Sequence, residues 1–162
     1  MLGWMGRRKR AMAGQSRTTW ARRVAPVVVV LLLAACSADG PTVDEAGRAL
    51  KSHILALLKE RNAQDVTITD PGGKNISCGE DAARQTFAAT GRDLANHTDP
   101  EALNTLMLGS LKAVAPYELI SADAQGQPIR VVNKTTKTIL IFESPGYGLY
   151  VVRGETECLP TS

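Results

Sequence analysis

The sequence predicts an α+β domain in which two helices pack on one face of an antiparallel sheet of about five to six strands. Two stretches carry apolar residues at helical spacing, each behind a helix-start signal. Short stretches of alternating or β-branched residues lie between and after them, separated by turn sequences of hairpin length. Strands joined by such short connections pair antiparallel, and amphipathic helices bury their apolar side against a sheet.

The first helix is predicted over residues 43–61. Thr42 and Glu45 have the spacing of a capping box, in which each side chain accepts a hydrogen bond from the other residue's backbone N–H. Asn62 marks the predicted end. The apolar positions behind the cap recur on one side of a helix, at Val43, Ala46, Leu50, Ile54, Leu57 and Leu58.

The second helix is predicted to begin within residues 98–101, where Thr98 and Glu101 repeat the capping-box spacing and Pro100 fits the first turn. Pro116 ends the pattern because proline cannot continue a helix. The apolar stripe of this helix is Leu103, Leu106, Met107, Leu111 and Val114.

Six segments are predicted as strands, the first of which is followed by a turn over residues 70–73. The last four are joined by hairpin-sized separators and are predicted to form a meander. The six segments are residues 66–68, 84–91, 117–121, 129–133, 138–142 and 149–153.

The start of the chain has the three parts of an export signal. Seven Arg or Lys residues and no acidic residue lie before residue 24, and the 12 residues 24–35 are mostly apolar. This run is shorter than the roughly 20 residues that a membrane-spanning helix needs. It ends in an apolar residue, two small residues and a cysteine: Leu33, Ala34, Ala35 and Cys36. That order is typical of the lipobox of a bacterial lipoprotein.

We therefore predict that residues 1–35 are a signal peptide that is cleaved between Ala35 and Cys36. The thiol of Cys36 would then carry a diacylglyceryl group. Residues 36–41 are small, polar and turn-forming, and are expected to be a short tether. Residues 42–162 are expected to fold as a single domain.

Three alternatives remain at this end of the chain. The basic residues are also compatible with a nucleic-acid-binding arm, although the apolar run and the cysteine behind them favour export. Arg22 and Arg23 stand just before the apolar run, so the twin-arginine export route competes with the general one. Translation from Met12 instead of Met1 would leave a shorter but still basic start.

The charge balance changes once the signal is set aside. The whole chain is formally +3, from 19 basic and 16 acidic residues. Seven basic residues and no acidic residue precede Cys36, so residues 36–162 carry 12 basic and 16 acidic residues, or −4. No nucleic-acid partner is therefore expected. Trp4 and Trp20, the two tryptophans of the chain, also belong to the predicted signal.

The cysteines are consistent with export. Once Cys36 is assigned to the lipid, Cys78 and Cys158 remain as an even pair in an oxidising compartment, and we expect a disulfide between them. Two buried free thiols are the alternative. A zinc site needs about four ligands, and the two histidines, His53 and His97, have no ligand-like spacing. No metal and no cofactor are expected.

The sequence contains no recognisable catalytic set, so we expect no enzymatic activity. No serine lies in a nucleophile motif, and the neighbours Ser52 and His53 diverge on a helix. His97 is read as a loop residue. The carboxylate pairs at 44–45 and 99–101 stand at helix starts, where the helix dipole favours them, and the pair at 80–81 fits a loop.

Three aromatic residues surround the last predicted hairpin: Phe142, Tyr147 and Tyr150. Exposed aromatics at this place would suit stacking on a sugar or contact with a partner. The simpler interpretation is that Phe142 fills the core and Tyr147 lies in a turn.

The chain resembles the small exported lipoproteins of actinobacteria. The resemblance rests on the lipobox ending in Cys36, the Ala- and Arg-rich signal, the mid-chain Cys78, and the ending Val152 to Leu159 that contains Gly-Glu-Thr-x-Cys. It implies membrane attachment through Cys36 and a bridge between Cys78 and Cys158. It implies no activity.

Together these features predict a lipid-anchored lipoprotein on the extracytoplasmic face of the cell membrane. Its expected role is that of a non-enzymatic interaction or accessory module, held to the membrane by the lipid on Cys36 and binding an envelope protein. The alternative is a carrier of a lipid or other apolar ligand between helices and sheet. Its pocket would be lined by the second stripe, at Leu103, Met107, Leu111 and Val114.

Overall fold

The structure, a computed structural model, describes residues 40–121 and 128–162 and confirms the α+β class. Two helices pack on an antiparallel six-stranded sheet, and a small three-stranded sheet adjoins them. Within the described residues the elements are α1 (Val43–Glu60), β1 (Gln64–Asp70), β2 (Ile76–Gly79), β3 (Ala82–Arg84), β4 (Thr86–Arg92), α2 (Pro100–Leu111), β5 (Glu118–Ser121), β6 (Ile129–Asn133), β7 (Thr138–Phe142), β8 (Leu149–Thr156) and β9 (Leu159–Pro160).

Helix α1 begins with the predicted capping box. The Glu45 N–H donates to the Thr42 hydroxyl over 3.4 Å, and the Thr42 N–H donates to the Glu45 carboxylate over 3.0 Å. These two bonds satisfy backbone donors that the first turn of a helix leaves free. All six apolar positions of the predicted stripe are fully buried, so tertiary packing completes what the cap starts.

Helix α2 starts within the predicted residues, but its N-cap is Asp99 instead of Thr98, and it ends earlier than its apolar stripe. The Asp99 carboxylate accepts a hydrogen bond of 2.8 Å from the Ala102 N–H, with Pro100 in the first turn. The helix stops at Leu111, and Val114 lies in the turn that follows. Its N–H donates to the Leu111 carbonyl three residues earlier, over 3.0 Å. This i to i−3 bond is tighter than the i to i−4 bond of an α-helix and marks the end of α2.

The main sheet has the strand order β1-β4-β8-β7-β6-β5, and all pairs are antiparallel. Its last four strands in sequence are spatial neighbours in chain order, which confirms the predicted meander. Strands β6 and β7 have the predicted bounds, whereas β8 continues to Thr156, three residues beyond the prediction.

Both helices cover the same face of this sheet, and the core lies between them. Helix α1 packs across β4, β8 and β7, and α2 packs on β8. The core consists of Leu50, Ile54, Leu57, Leu58, Phe87, Ala89, Leu103, Met107, Leu111, Val131, Leu140, Phe142, Tyr150 and Val152.

The strand predicted over residues 84–91 is confirmed from Thr86 onward as β4, but its start was wrong, because the chain passes from the small sheet to the main sheet at Gln85. The Gln85 side chain turns inward and donates hydrogen bonds to Asp44 (2.8 Å) and Asn75 (2.7 Å). Its backbone N–H donates to the Thr156 hydroxyl instead of a ladder carbonyl. The residues before Gln85 join β2 and β9 in the small sheet, which the sequence did not predict.

Strand β4 runs beside α1 in the same direction and defines two ends of the molecule. At its start, Gln85 bonds Asp44 in the first turn of α1. At its end, Gly91 lies against Leu58 and Ala63, at the last turn of α1. We call the end that holds Val43 and the small sheet the proximal end, and the end beyond Gly91 the distal end.

The outer strand β1 is exposed along its length and pairs only with β4. Its pairing is interrupted by two register shifts, between Gln64 and Thr67 and between Ile68 and Asp70. Asp65, inside the first shift, has a positive φ of 49°. Strand β5, at the other edge of the sheet, carries one such shift.

Candidate functional site

The predicted lipid site lies outside the described residues. Ala35, Cys36 and the rest of the signal-peptide prediction therefore receive no structural account. In the described part of the chain, neither helix is long and apolar enough to cross a membrane.

The structure joins Cys78 and Cys158 in a disulfide bond, the pairing predicted from the sequence. The two Cα atoms are 6.0 Å apart, and 80 positions separate the residues in the chain. The bond connects β2 to the segment before β9, so it closes the small sheet at the proximal end. Both cysteines are exposed, and the bond braces the surface beside the start of α1.

At the distal end, the loops 93–99 and 144–148 are held together by their backbones. We call this pair of loops the distal tip. Gly146, at φ +93°, permits the close approach, because a side chain there would overlap with the Thr98 carbonyl oxygen. Three backbone hydrogen bonds join the two loops, from Gly148 N–H to His97 O (2.7 Å), from Tyr147 N–H to Thr98 O (3.2 Å) and from Asp93 N–H to Gly148 O (2.8 Å).

A buried carboxylate anchors the distal tip to the core. Asp93 Oδ2 accepts from the His97 backbone N–H (2.9 Å) and lies 2.5 Å from His97 Nδ1, while its Oδ1 accepts from the Tyr150 hydroxyl (2.7 Å). Burial alone would raise the pKa of Asp93, but these hydrogen bonds outweigh it and lower the pKa to about 2. The carboxylate is therefore ionised at neutral pH, and its donors fix the loop.

Tyr150 connects Asp93 to α1 and α2 through Arg61. Its hydroxyl accepts from the Arg61 guanidinium at 3.1 and 3.3 Å, and Arg61 also reaches the Ser110 hydroxyl at 3.4 Å. Burial and the bond to Asp93 raise the pKa of Tyr150, so the phenol stays neutral and donates to the carboxylate. One chain of polar contacts thus ties the distal tip to both helices.

The distal tip presents two large apolar side chains to solvent. Leu94 is 71% exposed and Tyr147 is 82% exposed, the highest values among the large hydrophobic residues of the described chain. Tyr147 also has a φ of +56°, which is uncommon for a bulky residue. Such strain persists only where the surroundings enforce it, and it concentrates at functional sites. The tip therefore has the features of a preformed contact surface.

The simpler interpretation of the aromatic residues is confirmed for Phe142 and Tyr147. Phe142 and Tyr150 are fully buried in the core, and Tyr147 lies exposed in its turn. Only Tyr147 is therefore available to a partner or a sugar.

The acidic residues weighed for chemistry have structural roles or stand alone. Asp44 accepts from Gln85, Glu45 completes the α1 cap and Asp99 caps α2. Glu80 and Asp81 lie exposed between β2 and β3. Within residues 40–121 and 128–162, no three His, Cys, Asp or Glu side chains are grouped so that they could hold a metal ion.

His53 belongs to a second polar chain, on the helix side of the sheet. Its Nδ1 lies 2.9 Å from the Tyr117 hydroxyl, which in turn lies 2.8 Å from the Thr138 hydroxyl. Burial lowers the pKa of His53 and raises the pKa of Tyr117 to about 12. Both groups are therefore neutral near pH 7. Their hydrogen bonds connect α1 to Thr138 in β7.

A cleft of about 710 Å³ opens beside Tyr117, between the end of α2 and β5. Of the four residues predicted to line an apolar pocket, two border this cleft and two do not. Leu103 and Met107 are fully buried in the core, whereas Leu111 and Val114 border the cleft. The other lining residues are Leu108, Lys112, Ala115, Pro116, Tyr117 and Leu119.

No protein-family model, curated protein or solved structure matches this chain.

The sequence did not single out Asp93, Arg61 or Leu94. Asp93 and His97 are four residues apart, directly after a strand. This spacing is a weak sequence signal, because the two side chains meet only in the particular conformation of the loop. Arg61 looks like an ordinary helix-end cation in the sequence. Its contact with Tyr150 joins residues 89 positions apart, which local patterns do not reveal.

Proposed function

We propose that the protein is a lipid-anchored module on the extracytoplasmic face of the cell membrane, and that its distal tip binds an envelope protein. The order Leu33, Ala34, Ala35, Cys36 behind a basic and apolar start supports lipid attachment at Cys36. The resemblance to small actinobacterial lipoproteins supports the same location. The absence of a recognisable catalytic motif in the sequence favours a binding role over an enzymatic one.

The observation that carries the proposal is the position of the distal tip at the end of the molecule opposite to the start of α1. The 18 residues of α1 span about 27 Å at the helical rise per residue. Cys36 lies seven residues before Val43, so the chain between them reaches at most about 25 Å. A short tether of this kind keeps the proximal end near the bilayer and leaves the distal tip accessible to a protein partner.

The distal tip has the chemistry of a small interaction surface. Tyrosine offers a large apolar area with few rotatable bonds and is enriched among residues that dominate binding energy. The two loops are ordered before binding by their mutual hydrogen bonds and by Asp93, which lowers the entropy lost on association. Leu94 and Tyr147 are the residues expected to contribute most to binding.

Mass spectrometry of the protein isolated from membranes tests the anchor. The expected N-terminal peptide begins at Cys36 and carries the mass of a diacylglyceryl group. An N-terminus at Met1 or Met12 with an unmodified Cys36 would contradict the proposal.

Photo-crosslinking in intact cells tests the contact surface. A photoreactive amino acid at position 94 or 147 is expected to give one discrete crosslinked partner, whereas the same amino acid at Lys74, exposed in the β1–β2 turn, is not. Cys36→Ala is expected to lower the yield, because it removes the thiol that would carry the lipid anchor. Equal crosslinking from position 74, or the same partner at the same yield with Cys36→Ala, would contradict the proposal.

A further inference from the structure

We infer that the cleft between the end of α2 and β5 binds a single-chain anionic lipid, with the acyl chain in the cleft and the acidic headgroup at Lys112. This site is separate from the lipid on Cys36 and from the distal tip. It can therefore exist whether or not the proposed function holds.

The shape and lining of the cleft suit an acyl chain. Its volume of about 710 Å³ falls within the range of about 300 to 1,000 Å³ that is usual for small-molecule sites. Leu108, Leu111 and Val114 form the α2 side, and Leu119 forms the β5 side. Leu119 is 52% exposed, so a substantial apolar area stays in contact with water. Covering that area with hydrocarbon is favourable in proportion to the area removed from water.

The side-chain hydroxyl in the described wall of the cleft, that of Tyr117, is already paired. The Tyr117 hydroxyl is engaged by His53 and Thr138, at 2.9 and 2.8 Å. Within the described residues, every buried side-chain nitrogen or oxygen has a hydrogen-bond partner. A polar ligand would therefore find no free side-chain hydroxyl among the described lining residues, while it loses hydrogen bonds to water. An apolar chain avoids this cost.

Among the described lining residues, Lys112 supplies the one charge. It is exposed, it caps the C-terminal end of α2, and it forms no ion pair with another residue of the described chain. The helix dipole alone accounts for a lysine at a helix end. The pairing of this ammonium with an otherwise apolar cleft is what points to a ligand that is apolar along its length and anionic at one end.

Photo-labelling with a diazirine derivative of dodecanoic acid tests the site in membranes that contain the full-length protein. The label is expected on the tryptic peptides 93–112 and 113–130, which contain the cleft lining. Unlabelled dodecanoate is expected to compete. Decanoate, shorter by two methylene groups, is expected to compete about fifteenfold less well at equal free aqueous concentration. Labelling spread over the whole chain, or label that dodecanoate does not displace, would overturn the inference.

Two matched pairs of variants locate the chain and the headgroup. Leu119→Asp is expected to abolish labelling of these peptides. Val66→Asp, at a similarly exposed aliphatic residue on the opposite sheet edge, is expected to leave the labelling intact. Lys112→Met is expected to remove the preference for dodecanoate over dodecanol, and Lys74→Met is expected to keep it. If Lys112→Met retains that preference, the lysine serves only the helix end and the proposed headgroup site is wrong. If Leu119→Asp labels like the wild type, the chain lies elsewhere.

Discussion

Replacement of Asp93 by Asn tests whether one buried carboxylate holds the distal tip. Asn has nearly the same shape, so the change leaves no cavity. It removes the negative charge. In the wild type the Tyr150 hydroxyl and the His97 N–H each donate to a carboxylate oxygen, and in the variant one of these donors would face an amide NH₂ group. The expected result is a loss of stability that depends on pH.

The expected size of the loss follows from the pKa of Asp93. The difference between the ordinary value of 3.8 and the folded value of about 2 corresponds to about 2.5 kcal/mol. Solvent reaches one side of the loop, where the His97 ring is 43% exposed, so screening reduces the expected effect to about 1 to 2 kcal/mol. Because the folded pKa is the lower one, this contribution is complete above about pH 3.8 and is lost as the pH falls towards 2.

Equilibrium urea unfolding, followed by circular dichroism, measures this contribution. The difference between the wild type and Asp93→Asn is expected to be largest at about pH 7 and to shrink by at least half at about pH 2.5. Asp81→Asn is the matched control, because Asp81 is exposed and its positive φ of 54° suits asparagine. A difference between wild type and Asp93→Asn that stays constant over this pH range would refute the argument.

Three further predictions concern other parts of the chain. The double variant Cys78→Ser and Cys158→Ser is expected to lower the free energy of unfolding by about 4.5 kcal/mol, the chain-entropy value for an 80-residue loop, and urea unfolding of both forms checks it. Tyr147→Gly is expected to raise the free energy of unfolding by about 0.5 to 1 kcal/mol, because it relieves the positive φ, while it weakens crosslinking of the partner from position 94. An unchanged melting temperature together with unchanged crosslinking would contradict that expectation. Protein purified from membranes is expected to show no indole fluorescence, because Trp4 and Trp20 both precede the predicted cleavage after Ala35.

The elements with strong local signals were predictable from the sequence. The capping box of Thr42 and Glu45 and the six apolar positions behind it place α1 to within one residue. The meander from β5 to β8 follows from hairpin-length connections between apolar segments, because short connections leave antiparallel pairing as the main choice.

The small sheet and the distal tip were not predictable, because they depend on contacts between distant residues. Strand β2 is exposed and β9 has two residues, so neither carries a readable pattern. The break at Gln85 depends on side chains 10, 41 and 71 positions away. The anchoring of the distal tip depends on a contact between Asp93 and Tyr150, 57 positions apart.

The irregular pairing of β1 has a consequence for a protein that is confined to a surface. Attachment to a bilayer crowds neighbouring copies into two dimensions, where an open strand edge invites copy-to-copy pairing and aggregation. The two register shifts bend this edge out of a regular ladder, and the exposed Asp65 places a charged side chain inside the first of them. If the protein is anchored as proposed, the same irregularity that weakens the outer strand would keep neighbouring copies apart.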